Sequence, residues 1–134
     1  MSKVKRKLTT ILATDCVGFS KRMDENEELT LENLKACRSI IDPQIKEFGG
    51  RIFYTAGDSV IAEFESPIEC VNAAIGFQKA INDRNNIIPP HSRLDWRVGI
   101  HLDDVIIEGD NVYGNGVNIA ARLETACAPG QILL

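Results

Sequence analysis

The chain has 134 residues, 44% of them hydrophobic and 25% charged, which is enough apolar material for one buried core and argues against a disordered polymer. That length suits one domain. The net charge of −4 excludes a broad attraction to nucleic acid, so a phosphate-bearing ligand must be held by local features or metals.

The head, residues 1–8, is basic through Lys3, Lys5, Arg6 and Lys7, and reads as a solvated leader to the first strand. Leu8–Cys16 is rich in β-formers and short, as a buried strand should be. A basic head before an apolar run also resembles a secretory leader. Asp15 interrupts the run, however, and no small-residue cleavage pattern follows. No apolar run approaches a membrane span, so a cytoplasmic protein is expected. Gly18 breaks the strand. A helix follows from about Glu27 to Phe48, where Leu34, Cys37, Ile41, Ile45 and Phe48 step by three or four. Pro43 should kink or divide it, and Gly49-Gly50 should stop it.

Arg51 to Glu65 holds two alternating runs around Gly57-Asp58, the pattern of a type II′ hairpin. Ser66-Pro67 with Glu69 forms a helix start: an N-cap, a proline in the first turn and a capping-box acid. That helix should run to about Asn85 with Val71, Ala74, Phe77 and Ile81 inside. A loop with Pro89-Pro90 leads to a strand, Leu94 to Leu102, and a short one, Val105 to Glu108. Val117 to Cys127 reads as a helix ended by Pro129-Gly130, and Gln131 to Leu134 begins a last strand.

Four cysteines, Cys16, Cys37, Cys70 and Cys127, lack any metal-ligand spacing and read as small buried hydrophobes of a reduced compartment. His91 and His101 belong to no recognisable catalytic motif and read as structural or solvated.

The order β-α-β-β-α-β is the ferredoxin-like split βαβ arrangement, here extended by β-α-β. The expected class is therefore α+β, with a mixed, mainly antiparallel sheet and helices on one main face. In this order the first and third strands are antiparallel neighbours. Asp15 at the end of the first then lies beside Asp58 at the start of the third.

Two adjacent carboxylates repel unless positive charge sits between them. Magnesium accepts one or two carboxylates plus substrate phosphates, so two aspartates suffice for a metal pair that clamps a phosphoryl displacement. Asp58 alone could be an ordinary turn residue. Asp15 stands where an apolar residue is expected. Gly18 lets the following backbone present N–H groups to an anion. Asn118 and Arg122, four apart, share a helix face. They could supply a hydrogen-bond donor and a fixed cation to developing phosphate charge. The plain alternative is a capping asparagine and a surface arginine paired with Glu124 or another acid.

The runs ATDCVGFS, TAGDSV, VGIHLDDVIIEGD and YGNGVNIAARLE, in that order, make the chain similar to class III adenylate and guanylate cyclases, particularly their bacterial branch. The resemblance covers nearly the whole chain. It implies a head-to-tail homodimer with active sites between subunits. Asp15 and Asp58, with the Cys16 backbone carbonyl, would hold two Mg²⁺ or Mn²⁺ ions. The backbone of Gly18, Phe19 and Ser20 would cradle the phosphates of a nucleoside triphosphate. Asn118 and Arg122 would act across the interface. The ribose 3′-oxygen would attack the α-phosphorus and release pyrophosphate.

The family's two base-reading positions fall on Tyr54 and Asn111, which match neither the usual adenylate set nor the usual guanylate set. ATP remains the expected substrate on family grounds and GTP the rival. A degenerate module that dimerises or senses nucleotide is the non-enzyme alternative. A diguanylate-cyclase or polymerase-palm domain is disfavoured, because no GG[DE]EF signature is present. Asp103 stands where close bacterial relatives usually carry glycine. The family domain continues past the position of Leu134, so the piece is expected to lack the last strands.

Overall fold

The computed structural model describes residues 4–134; Lys3 of the basic head lies outside the described residues. The chain runs β1 (Val4–Cys16), α1 (Phe19–Glu25), α2 (Glu27–Glu47), β2 (Arg51–Ala56), β3 (Ser59–Phe64), α3 (Pro67–Asn86), a 3₁₀ turn (Pro90–Ser92), β4 (Trp96–Glu108), β5 (Asn111–Tyr113), α4 (Asn115–Ala126) and β6 (Ile132–Leu133). The strands form one sheet in the order β2-β3-β1-β4-β5, with β6 parallel to β4 beside Val98 and Gly99. The expected α+β architecture is present, with β1 central and antiparallel to both β3 and β4.

Sterics and capping explain the boundaries. Asn26 caps α2 by accepting the Leu29 N–H at 3.1 Å. At the other end Gly49 takes φ +81°, the Gly49 N–H reaches the Lys46 carbonyl, and the Gly50 N–H reaches the Ile45 carbonyl at 2.8 Å. That is a Schellman closure. Pro43 does not divide the helix, which stays continuous to Glu47. It lies in the last turns, where few backbone bonds are left to lose. In the β2–β3 turn Gly57 has φ +58° while Asp58 does not have positive φ, the type II′ signature. Ser66 accepts the Glu69 N–H at 3.2 Å with Pro67 in the first turn of α3, as its sequence announced.

Three local expectations change. Lys5 to Leu8 are no leader but part of β1, paired with Ile107 to Asp104 of β4. Leu94 to Glu108 holds not two strands but one 13-residue strand beginning at Trp96. Pairing with β1 along its whole length keeps it extended through the polar pair Asp103-Asp104. The short strand beside it is β5, joined by a turn in which Gly109 takes φ +60°. The seven-residue α1 was also unforeseen.

Two cores sandwich the sheet. On one face α2 and α3 close over Leu12, Cys16, Val60, Ala62, Phe64, Trp96, Val98 and Ile100. On the other, α4 covers Ile11, Ala13, Val105 and Val112 with Ala120. The two larger helices thus share one main face, and α4 alone lies opposite. From Thr9 to Thr14 β1 is buried on both faces, so Ile11, Leu12 and Ala13 follow one another instead of alternating with polar residues. Two of its threonines are satisfied internally, the Thr9 hydroxyl donating to the Phe64 carbonyl at 2.9 Å and the Thr14 hydroxyl to the Arg97 carbonyl at 2.7 Å, while the buried Thr10 hydroxyl has no partner among the described residues. Gln78 of α3 donates to the Trp96 and Gln131 carbonyls at 2.9 and 3.0 Å, tying α3 to β4 and to the approach of β6.

Candidate active site

β1 and β3 stay in register to Thr14↔Val60, so the chain just beyond, Asp15-Cys16, meets the Gly57-Asp58 turn. The contact is direct: the Cys16 backbone N–H donates to Asp58 Oδ2 at 2.9 Å. Burial pushes the Asp58 carboxyl above the usual carboxylate range. The Cys16 N–H bond opposes that shift, and the charge of Asp15 adds to it. Two acids remote in sequence are therefore neighbours at one sheet end, as the topology required.

Asp15 is not bare. Arg97, its Cα partner on β4, grips both carboxylate oxygens, Nε to Oδ1 at 3.1 Å and Nη2 to Oδ2 at 3.0 Å. Such a fork is the strong form of ion pair. Arg97 Nη2 also lies 3.9 Å from Oε2 of Glu124, whose side chain is only 8% exposed. Burial and then the adjacent Asp15 lift the Glu124 carboxyl to about 8. Glu124 reaches this place because α4 packs backbone-to-backbone on β4. A Cβ at Gly99 would fall 2.3 Å from both the Ala120 oxygen and the Glu124 nitrogen. Sequence reasoning missed Arg97, and considered Glu124 only as one of the acids that a surface Arg122 could pair with. A charged residue just before the VGIH run, inside the expected Leu94–Leu102 strand and opposite Asp15 in an antiparallel pair, was the available signal.

Among the described residues no group of three or more histidine, cysteine or acidic side chains could hold a metal ion. A metal here would thus rest on two carboxylates and a backbone carbonyl, with further oxygens from a ligand, which magnesium accepts. The donor set fits: a half-buried acid pair whose charge already recruits an internal cation, Arg97, is a place where positive charge is stabilised.

Gly18, with φ +66° and ψ +28°, turns the chain from β1 into α1, so the N–H groups of Phe19 and Ser20 open that helix. Gly18 and Ser20 are exposed, while Phe19 anchors the turn on the larger core.

Tyr54 reaches the site through a β-bulge. Ile52 pairs with Ala62 and Tyr54 with Ile61, leaving Phe53 as the extra residue. Ile52 packs into the α2–α3 core, and Phe53 and Ile61 into the α4 core. Regular alternation would have sent Tyr54 back toward α2 and α3. The bulge turns it to the α4 side instead, where it lines a cleft of about 180 Å³ with Asp15, Ser59, Ala121, Glu124 and Thr125. Tyr54 is about half exposed. Asn111 opens β5, exposed, beside the turn that holds Asp110. Arg51, paired to Glu63 at 2.9 Å, donates from Nη1 to the Asp110 carbonyl at 3.0 Å, which draws that turn to β2. Tyr54 is three residues along β2 from Arg51, about 10 Å.

Asn118 and Arg122 are exposed on one face of α4. Glu124 lies two residues, about 200° around the helix, from Arg122. With Glu124 directed at Arg97, Arg122 is directed away from Asp15 of its own chain. The structure does not bring this pair to the aspartates within one subunit. His101 Nε2 lies 3.3 Å from Asp103 Oδ2, and Asp103 also accepts the Asp104 N–H. The Asp103 side chain fills the space beside Gly116, so both belong to the β4–α4 packing. All four cysteines are free and buried, and no helix among the described residues is long and apolar enough to cross a membrane.

Residues 2–134 match the adenylate and guanylate cyclase catalytic domain family. A putative adenylate cyclase 3 of Rhizobium meliloti is 35% identical over 98% of this chain, and a serine/threonine-protein kinase, pkn2, of Myxococcus xanthus is 27% identical over the same share. This chain spans only 22% and 16% of those proteins. The crystal structure of an adenylate/guanylate cyclase/hydrolase from Silicibacter pomeroyi superposes with a TM-score of 0.90 at 37% identity, covering 97% of this chain and 76% of that one. The adenylyl cyclase CyaB of P. aeruginosa gives 0.83 at 25% identity, covering 97% of this chain and 77% of that one.

Proposed function

Because this chain belongs to the family of adenylate and guanylate cyclase catalytic domains, we propose that it converts ATP to 3′,5′-cyclic AMP and pyrophosphate at a site shared by two subunits. The observation that carries the proposal is the 2.9 Å bond from the Cys16 N–H to Asp58, which draws the second acid to the first. Asp15, Asp58 and the Cys16 carbonyl would hold two Mg²⁺ or Mn²⁺ ions. Bound there, such a pair supplies positive charge to both the attacking and the leaving oxygen of a phosphoryl displacement.

The remaining work falls to side chains and backbone of the protein. The exposed N–H groups of the Gly18–Ser20 turn would bind and orient the triphosphate. Tyr54 offers a ring face and a hydroxyl at the mouth of the cleft, and Asn111 an amide that both donates and accepts. Asn118 and Arg122, turned away from their own aspartates, suit a site on a partner. A head-to-tail homodimer would present them there, with Arg122 a permanent cation on developing phosphate charge.

The decisive assay gives the complete domain ATP or GTP with Mn²⁺ or Mg²⁺ and separates the products by chromatography. Cyclic AMP is expected. Cyclic GMP alone would make it a guanylate cyclase. No turnover of either triphosphate would leave a nucleotide-sensing or dimerisation module. Asp15→Ala and Asp58→Ala should each abolish activity. Mixing Asp58→Ala with Arg122→Ala subunits should restore part of it, since one of the two sites is then whole. Absence of that rescue would falsify the shared site.

A further inference from the structure

Glu124 is a buried acid that the proposed chemistry does not use. Its side chain is 8% exposed, and α4 cannot retreat from β4 without opening the contact at Gly99. Its Oε2 accepts the Thr125 hydroxyl at 3.1 Å and faces Arg97 Nη2 at 3.9 Å. Arg97 is anchored at a third point, its Nη1 donating to the Thr125 carbonyl at 3.2 Å. The guanidinium is thus pinned to α4 while its fork lies on Asp15, and a second carboxyl stands just beyond hydrogen-bond range of the same nitrogen. A move of about 1 Å brings Nη2 into hydrogen-bond range of Glu124.

We propose that Glu124 is a positioning residue for the metal site, a second acceptor to which Arg97 passes when a divalent cation takes Asp15. The proposal rests on Asp15 being a metal ligand. The physical need is plain. While Arg97 holds both oxygens of Asp15, an incoming cation meets a carboxylate already neutralised and a guanidinium that repels it. Releasing Arg97 into a half-buried space with no acid to pair with would strand a desolvated charge. Glu124 removes that obstacle, because the guanidinium exchanges one carboxyl for another without returning to water. Glu124 therefore touches neither metal nor substrate. It acts through Arg97 and sets how readily Asp15 becomes available.

The test is Mn²⁺ binding to the whole chain without nucleotide, followed by titration calorimetry and by the electron paramagnetic resonance of free Mn²⁺. Asp15→Asn should remove the site. Glu124→Gln, which keeps size and the Thr125 contact, should weaken binding about tenfold, the scale of one charge-assisted hydrogen bond. Glu124→Asp, which withdraws the acceptor but keeps a carboxyl on α4, should weaken it less. In an Arg97→Gln background the Glu124→Gln change should alter affinity by less than about twofold, because no guanidinium is left to receive. Equal losses in both backgrounds would overturn the proposal in favour of a simple field effect of Glu124. Unchanged binding in Glu124→Gln or in Glu124→Asp, with Asp15→Asn still deficient, would overturn the proposal and leave the metal reading intact. Uptake of Mn²⁺ indifferent to Asp15→Asn would overturn both.

Discussion

Gly99→Ala is the sharpest test of how the site is held. The added methyl carbon would lie 2.3 Å from the Ala120 oxygen, 2.3 Å from the Glu124 nitrogen and 2.9 Å from the Glu124 Cα. All three are backbone atoms, so no rotamer change relieves the clash, and α4 must withdraw from β4 by about 1 Å to reach normal contact. That opens the small core around Ile11, Ala13, Val105 and Ala120. Overpacking of this kind costs about 3 kcal/mol, the upper part of the usual range. For a domain of this size the loss corresponds to an unfolding midpoint lower by about 10 °C. Gly109→Ala is the control: it has φ +60° but nothing within 4 Å, so only the left-handed backbone is strained, at about 1 kcal/mol. Thermal and urea unfolding of both variants should rank Gly99→Ala well below Gly109→Ala. A Gly99→Ala protein melting within about 2 °C of wild type would refute the claim that α4 is seated on that glycine, and with it the rigid placement of Glu124.

Glu124 also gives stability a pH dependence in metal-free buffer. Its folded pKa of about 8 lies above the ordinary 4.5, because of burial first and Asp15 second. The folded chain then binds the extra proton, so this contribution is fully present below pH 4.5 and is lost as pH rises through 8. The slope between is at most about 1.4 kcal/mol per pH unit, and urea melts across that range should show Glu124→Gln flattening it. Ser66→Ala removes the acceptor of the Glu69 N–H and should cost about 1 kcal/mol in the same melts. The thiols of Cys16 and Cys70, pushed up to about 12 by burial, should react with an aromatic disulfide reagent only on unfolding. Rapid labelling of the native chain would contradict the burial.

Much of this molecule was legible because its signals are local. The Gly57-Asp58 turn, the Ser66-Pro67 helix start and the Gly49-Gly50 stop each depend on a few adjacent residues, and each is present. The order of elements then forced β1 beside β3, and that pairing alone places Asp15 near Asp58. Arg97 carries no such local mark. It became part of the site only through the antiparallel register that makes it the partner of Asp15. The orientation of Tyr54 hangs on a one-residue bulge, which a period-two pattern cannot announce. Glu124 looked like a surface acid because its burial depends on a glycine on another element that lets two backbones touch. Chain-local chemistry decides turns, caps and the identity of the acids. Register and close packing, which join residues dozens of positions apart, decide which charges those acids meet.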